Sequence, residues 1–228
     1  MLVYAKKMRT FAARPGVNMM PTVFSSEPAE YLVERSRFIG QTFRLVEPDQ
    51  LAEHLHHMEG AYPHANHYTW AYRIDDAHLR ASDNGEPQGT AGMPMLNILS
   101  QQGWDQTLVV VVRYFGGIKL GRGGLVHAYQ KSAQLALAST KPGMMQHIRT
   151  VRVTIDYSPY DRIVRALEPM VLTQEAFFGA EVQLALSLPM ESWPQIEEVL
   201  DREARGTWQL NASEDLWRLM PLSQSQTE

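Results

Sequence analysis

The sequence predicts an α+β protein of two domains, and three observations lead to this fold class. Strand-like and helix-like patterns alternate along the chain. A cluster of turn-forming residues at 140–143 interrupts the alternation. Beyond the cluster, the segments follow the order β-α-β-β-α-β of a ferredoxin-like domain. We therefore expect an N-terminal α+β domain over residues 29–140 and a ferredoxin-like domain over residues 145–221.

The two ends of the chain are expected to lie outside these domains. Residues 1–28 contain no acidic side chain before Glu27 and no apolar run of the kind that a secretory signal needs. They predict a disordered tail or an over-extended start. Residues 222–228 predict a polar tail.

In the N-terminal domain, alternating apolar positions indicate strands, and apolar residues spaced by three or four positions indicate helices. The predicted strands are Tyr31–Val33 and Phe38–Val46 around a turn at Arg35-Ser36, then Tyr68–Ile74, Leu79–Ser82 and Leu108–Tyr114. The predicted helices begin at Pro48 and after Gly92, and a third spans Leu125–Ala138. Leu108–Tyr114 is apolar over most of its length, so we expect helices on both of its faces.

The ferredoxin-like domain is predicted by the same two periodicities. Its expected strands are Ile148–Tyr157, Glu175–Phe178, Glu181–Leu188 and Thr207–Asn211, with Leu216–Met220 as an optional addition to the last. Its expected helices are Asp161–Val171 and Trp193–Ala204. The predicted break between the domains is at 140–143, where proline and glycine adjoin.

Composition excludes several classes of function. The 228 residues include no cysteine, which excludes disulfides, thiolate catalysis and cysteine-based metal sites. No apolar run approaches the roughly 18 residues that a membrane helix needs. We therefore expect a cytoplasmic protein that does not enter a membrane.

The net charge of −4 is unevenly distributed. Residues 106–155 contain seven lysines and arginines and no acid, whereas residues 156–228 contain 13 acids against five arginines. A basic segment in an acidic protein indicates a local anion-binding face. The alternative is that these cations pair with acids from elsewhere in the fold.

The leading candidate site is a glycine-rich loop that follows the predicted strand Leu108–Tyr114. Its glycines can adopt positive φ angles and expose backbone N–H groups, and the helix that follows adds partial positive charge. Phosphate is the anion that suits such a loop. The candidate ligands are Arg113, Gly116, Gly117, Lys119, Gly121, Arg122, Gly123 and Gly124, with Lys131 and Arg73 as assisting cations. The loop matches neither a Walker A motif nor G-x-G-x-x-G, and the alternative is a tight crossover whose glycines only allow close packing.

A second candidate is the turn-rich segment 82–92, which carries Asp83, Glu86 and Thr90. Two carboxylates in a rigid turn can act as acid and base or bind a hard cation. We favour a structural role, in which these residues tie the turn together or pair with the arginines of the glycine loop.

His64 and His67 form a His-x-x-His pair, which can bind zinc. Two further ligands are normally needed, and the chain has no cysteine to supply them. We therefore expect neither a metal nor a cofactor, with His64 and His67 as weak candidates.

Taken together, these motifs resemble the YigZ/IMPACT family. The resemblance covers roughly residues 29–138 and depends on four ordered segments. They are Arg35–Ile39, His64–Arg73, Asp83–Gly92 and the stretch Arg113–Leu125 with Tyr129. Gln88 stands where the family often has a serine, which weakens any hydrolase hypothesis based on that serine. Arg122 stands where a small residue is usual and adds positive charge.

The resemblance has implications for fold and function. It implies that residues 29–140 have the left-handed βαβ fold of ribosomal protein S-five domain two, and that residues 145–221 are similar to the last domain of elongation factor G. It implies a link to translation rather than a known reaction, because eukaryotic relatives are regulators in the pathway that senses amino-acid starvation at the ribosome.

Three functional hypotheses follow. The first is a non-enzymatic protein that binds RNA or the ribosome through the glycine loop and is linked to the regulation of translation. The alternative is an enzyme that acts on a phosphorylated small molecule or nucleotide in the cleft between the glycine loop and the Asp83–Glu86 turn. The third is an interaction module that binds a protein partner through its acidic C-terminal domain.

Overall fold

The computed structural model describes residues 20–222. It confirms the α+β fold class, with two sheets and five α-helices in the described residues. The chain forms two compact units, one of described residues 20–144 and 220–222, the other of residues 145–219. Predictions for residues 1–19 and 223–228 lie outside the described residues. No helix in residues 20–222 is long and apolar enough to cross a membrane.

The N-terminal unit contains a five-stranded antiparallel sheet in the order β2-β3-β6-β4-β5. The strands of this sheet are β2 (Ala29–Val33), β3 (Ser36–Arg44), β4 (His67–Arg73), β5 (Leu79–Ser82) and β6 (Thr107–Tyr114), and the unit also contains β1 (Thr22–Ser26). Its helices are α1 (Leu51–Ala61), α2 (Gly92–Gln101) and α3 (Gly121–Ala138). Strand β1 lies outside this sheet and pairs with residues 140–143, at the start of the strand that follows α3.

Helices cover both faces of β6, as its sequence predicted. Val109 and Val111 belong to the core shared with α2 and α3, while Val110 and Val112 belong to the core that contains Met58 of α1. A strand covered on both faces can be apolar throughout, because neither set of alternating side chains meets water. The end of β6 is therefore held rigidly where the glycine-rich segment begins.

The C-terminal unit has the β-α-β-β-α-β order that its sequence predicted. Its elements are β7 (Thr140–Ile155), α4 (Tyr160–Leu167), β8 (Thr173–Phe178), β9 (Val182–Pro189), α5 (Trp193–Glu203) and β10 (Gln209–Pro221). The strand order is β10-β7-β9-β8, which is that of a ferredoxin-like fold. Ile163 of α4 and Ile196 of α5 share a core with apolar side chains of β7 and β9.

Two expectations about local structure near the domain ends were wrong, although the boundary between the two compact units falls after Met144, directly beyond the expected break. Thr22–Ser26, within the expected tail, is strand β1, and its Val23 is buried. The expected break at 140–143 is instead the start of β7, which pairs with β1 in the register Thr22↔Gly143 and Ser26↔Thr140. The two errors have one cause. Residues 22–26 and 140–143 pair with each other as strands, and neither short segment shows this pairing in its own sequence.

Two boundaries also shift by a few residues. Helix α3 begins at Gly121 rather than Leu125, so Gly121, Gly123 and Gly124 lie in its first turn rather than in a loop. The hairpin between β2 and β3 turns at Glu34 and Arg35, both with positive φ, one residue earlier than expected.

Helix α3 approaches β3 most closely at Gly40. A Cβ at this position would lie 2.9 Å from the carbonyl oxygen of Ser132 and 3.1 Å from the Cβ of Ala136. Glycine is therefore the residue that lets the helix backbone rest on the strand.

We predict that Gly40→Ala lowers the free energy of unfolding by about 1–3 kcal/mol, because the added methyl group forces α3 away from β3. Gly60→Ala is the matched control, since nothing lies within 4 Å of the new Cβ and alanine favours the helix by about 1 kcal/mol. Urea denaturation measures both variants, and equal stabilities would contradict the close-packing explanation.

Candidate functional site

A groove of about 500 Å³ lies in the N-terminal unit, between the glycine-rich segment after β6 and the turn at residues 82–92. It coincides with the cleft that the sequence predicted between the glycine loop and the Asp83–Glu86 turn. The lining residues are Asn66, His67, Glu86, Pro87, Arg113, Phe115, Lys119, Leu120, Gly121, Arg122 and Leu125.

Arg113 and Glu86 form a buried ion pair at this groove. Nη1 of Arg113 donates to Oε1 of Glu86 at 2.6 Å, and the two side chains are 6% and 3% exposed. The hydroxyl of Tyr129 in α3 donates to the same oxygen at 2.7 Å. Burial and the adjacent carboxylate of Glu86 raise the pKa of Tyr129, so its hydroxyl remains a donor.

The arginine is further enclosed by aromatic rings. Its guanidinium carbon lies 5.2 Å from the ring centre of Phe38 and 5.5 Å from that of Phe115. Nη2 donates to Oγ of Ser36 at 3.4 Å. Its Nε is buried and has no hydrogen-bond partner among residues 20–222. The charge of Arg113 is thus matched by Glu86 within the groove, whereas the sequence had suggested a direct phosphate ligand.

Asp83 organises the turn through backbone contacts. Its carboxylate accepts hydrogen bonds from N–H groups of Gly89, Ala91 and Gly92 at 2.7, 2.9 and 2.8 Å. Burial raises the pKa of Asp83, but these three bonds and the charge of Arg122 together lower it below its ordinary value. Oγ1 of Thr90 donates to the carbonyl of Pro87 at 2.6 Å. Both side chains therefore have structural partners within the turn.

The first turn of α3 forms the rim of the groove that faces the turn at residues 82–92. No side chain caps this helix, and its first turn contains no acid, so the N–H groups at its start have no carboxylate partner from the helix itself. Lys119 and Arg122 are exposed beside it. Nη2 of Arg122 donates to the backbone carbonyl of Gln88 at 2.7 Å, which joins the helix start to the turn while leaving the arginine charge unmatched by that contact.

The glycines divide into two groups. At Gly116, a Cβ would lie 2.0 Å from the carbonyl carbon of Arg35, so this residue is required for close packing against the β2–β3 hairpin. Gly117 and Gly121 have positive φ angles of 85° and 69°. Gly121 lines the groove, and with Gly123 and Gly124 it forms the uncapped helix start.

His67 forms one end of the groove. Its Nδ1 lies 2.9 Å from the carbonyl oxygen of Asn84. A carbonyl can only accept, so Nδ1 carries the proton and neutral His67 presents Nε2 as an acceptor. That nitrogen lies 3.8 Å from Oε1 of Glu86. Nothing else near His67 completes a metal site, since residues 20–222 contain no group of three or more side chains suited to holding a metal ion.

Among the lysine, arginine and histidine candidates from the sequence, three do not line the groove. Arg73 lies at the far end of β4, which pairs antiparallel with β6 so that His67 is opposite Arg113 and Arg73 is opposite Thr107. It is buried and bonded to Asp76, Asp105 and the carbonyl of Trp104, so its expected role in phosphate binding was wrong. Lys131 is exposed on α3, about 15 Å along the helix from Gly121. His64 lies in the exposed turn before β4.

The sequence analysis missed several residues that build the groove. Oδ1 of Asn66 accepts from the N–H of Phe115 at 2.8 Å, and Oγ of Ser36 accepts from the N–H of Gly116 at 3.2 Å. Their only sequence signal is that each falls in a segment carrying the family resemblance. Phe115 is 45% exposed beside the groove, which its position at the end of an apolar run did not reveal.

Comparisons with known proteins agree with the resemblance drawn from the motifs. Residues 34–137 match the model of the Impact N-terminal domain. The IMPACT family member YvyE of Bacillus subtilis (strain 168) is 35% identical over 165 residues, which cover 71% of this chain and 76% of the relative. The IMPACT family member YigZ of Escherichia coli (strain K12) is 30% identical over 190 residues, or 80% and 92% of the two chains.

A solved structure is also similar. It is described as the crystal structure of a hypothetical protein and is 27% identical, with a TM-score of 0.56 over 85% of this chain and 97% of that chain. The predicted α+β fold therefore has an experimental counterpart.

We predict that Glu86→Gln lowers the free energy of unfolding by about 3–5 kcal/mol, because it leaves the charge of Arg113 buried without its partner. Glu30→Gln is the matched control. Glu30 pairs with Arg37 at 2.7 Å, but these side chains are 42% and 47% exposed, and exposed pairs contribute about 0–1 kcal/mol. Chemical denaturation measures both, and similar losses would contradict the importance of the buried pair.

We also predict that Asp83→Asn reduces stability at pH 7 by about 1.5–3 kcal/mol, because its backbone bonds lose their charge assistance. The pKa of Asp83 is lower in the folded protein, so its contribution is present above the unfolded value of about 3.9 and is lost as pH falls through the folded value. The variant should therefore lose less stability than the parent between pH 7 and pH 2.5. Thermal unfolding at several pH values measures this, with the exposed Asp49→Asn as control, and parallel curves would contradict it.

Proposed function

This chain belongs to the IMPACT family, and on that premise we propose that it is a non-enzymatic, RNA- or ribosome-associated binding protein linked to the regulation of translation. The family resemblance supports the link to translation. The groove supports the mode of binding, in which phosphate groups of RNA are held at the rim formed by the start of α3.

One observation carries this proposal: the cations at the rim are exposed to solvent, while the neighbouring acids are engaged. Lys119 and Arg122 are exposed, and the start of α3 has no capping side chain. Glu86 is bonded to Arg113 and Tyr129, and Asp83 is bonded to three backbone N–H groups. An incoming phosphate therefore meets attraction from cations and backbone N–H groups with little repulsion from unpaired carboxylates.

The residues at the groove have distinct roles in this proposal. Lys119, Arg122 and the N–H groups at Gly121, Gly123 and Gly124 contact phosphate. Gly116 and Gly117 shape the segment that leads to them. Arg113 and Glu86 hold the end of β6 against the turn at residues 82–92 and do not contact the anion.

An enzyme that acts on a phosphorylated small molecule or nucleotide is the second candidate. The observation that favours it is the position of His67, whose Nδ1 is fixed by the carbonyl of Asn84 and whose Nε2 is free to accept a proton. A histidine held in this way beside an anion-binding rim has the arrangement of a general base.

We predict that Lys119→Glu combined with Arg122→Glu weakens binding to ribosomes and to RNA at least tenfold at low salt. Loss of two phosphate contacts should also flatten the dependence of log affinity on log salt by roughly 1.4, at about 0.7 per contact for single strands. Ribosome co-sedimentation and fluorescence anisotropy across a salt series measure the two effects.

The matched control reverses two exposed cations of the C-terminal unit, Arg165→Glu with Arg205→Glu, which changes the net charge by the same amount. Equal loss in both double variants would mean that overall charge governs binding and would overturn the assignment to the groove. Failure of the parent to bind ribosomes or RNA at low salt, with thermal stabilisation by a nucleotide, would favour the enzyme.

A further inference from the structure

We infer that the groove takes one unpaired nucleotide of a single-stranded RNA, with its phosphate at the start of α3 and its base against the apolar wall. This inference rests on the proposed function and names the form of RNA that the site accepts. It arises from the apolar part of the groove, which phosphate binding does not use.

The apolar wall is formed by Phe115, Leu120 and Leu125, which line the groove together with the cationic rim. Phe115 is 45% exposed, although large aromatic side chains are usually covered. The guanidinium of Arg113 lies 5.5 Å from its ring centre, which holds the ring from within the protein. A ring supported in this way and open to solvent is a platform on which a base can stack.

The part of the groove lined by Arg113, Glu86 and His67 supplies a second, independent indication of a ligand. Arg113 is more than nine-tenths buried, and its Nε has no partner among residues 20–222. Nε2 of neutral His67 lies 3.8 Å from Oε1 of Glu86. That oxygen already accepts from Arg113 and Tyr129 and cannot donate, so Nε2 is left as an acceptor without a donor from Glu86. Buried polar atoms are usually satisfied. A carbonyl oxygen or ring nitrogen of a base can accept from the Nε–H of Arg113, and an amino or imino group of a base can donate to Nε2 of His67.

The shape of the site favours an unpaired nucleotide. In a duplex the bases are stacked within the helix and only sugars and phosphates reach a concave site, whereas an unpaired base can be inserted and stacked. A groove of about 500 Å³ lies within the range of roughly 300–1,000 Å³ in which proteins hold small ligands.

A free nucleotide has the same chemistry, but the surroundings favour a strand. Ile118 is 39% exposed and lies outside the lining of the groove, beside Lys119 in the same segment. Apolar surface and positive charge therefore continue past the rim, where the neighbouring nucleotides of a strand would lie. A single nucleotide would leave this surface unused.

The test uses the full chain and fluorescently labelled RNA. Anisotropy titrations compare an unstructured eight-nucleotide strand with the same strand annealed to its complement, in one low-salt buffer. We expect the single strand to bind at least tenfold more tightly. Adenosine monophosphate is added as a competitor, and we expect it to displace the strand only at concentrations far above the dissociation constant of the strand.

Phe115→Leu tests the stacking platform, because it keeps an apolar side chain and removes the aromatic face. We expect it to weaken single-strand binding about tenfold, within the range measured for one stacked base, and to leave duplex binding unchanged. The matched control is Phe177→Leu, which removes a ring that is 52% exposed on β8. Melting temperatures of both variants verify that the fold is retained.

The outcomes separate this inference from the function on which it rests. Equal affinity for single strand and duplex, or equal effects of Phe115→Leu and Phe177→Leu, overturns the inference while leaving phosphate binding at the rim intact. Displacement by adenosine monophosphate at the same concentrations as the strand overturns it in favour of a free nucleotide. Absence of binding to either RNA overturns the inference, and absence of ribosome co-sedimentation in addition overturns the proposed function.

Discussion

The buried pair of Arg113 and Glu86 is the interaction on which the rest of the N-terminal unit depends. It joins the end of β6 to the turn at residues 82–92, and the hydroxyl of Tyr129 adds α3 to the same carboxylate oxygen. Removing two charges from water is costly, and the cost is offset only when geometry and hydrogen bonding are nearly complete. Three elements that are distant in sequence must therefore assemble together, and the groove is the space left between them.

The same pair bears on the proposed binding of an anion, because two carboxylates lie close to the groove. Glu86 is engaged by Arg113, and Asp83 is engaged by the backbone of its own turn. What remains at the surface of the groove is the start of α3 with Lys119 and Arg122. Under the proposed function, these acids would shape the site without repelling an anionic ligand, and Arg113 would hold Glu86 rather than the ligand.

Local patterns in the sequence predicted most of the architecture, because they record which side chains are buried. The apolar run of β6 indicated a strand covered on both faces, and the alternation after residue 145 indicated the ferredoxin-like order. The pairing of Glu86 with an arginine of the glycine loop was among the structural alternatives considered. Strand β1 was missed because its partner in β7 follows more than a hundred residues later, and no local pattern records such a pairing.

The site itself was predicted less completely, for the same reason. Counting cations suggested Arg73 as a phosphate ligand. The sequence does not show that β4 pairs antiparallel with β6, which places Arg73 at the end of β4 away from the groove. There it is bonded to Asp76 and Asp105. Ser36 and Asn66 act through single hydrogen bonds to a backbone that only the fold brings near them. The role of the acidic C-terminal domain in binding a protein partner stays a prediction.

The glycines at the start of α3 have a consequence for motion. Three of the first four residues of this 18-residue helix are glycine, and each favours the helix by about 1 kcal/mol less than alanine does. The rim of the groove is thus built from the part of the helix with the weakest intrinsic tendency to stay wound, where local opening costs least. Under the proposed function, an anion that accepts hydrogen bonds from this turn would stabilise its helical form. Occupancy of the groove and order of the helix end would then be thermodynamically coupled.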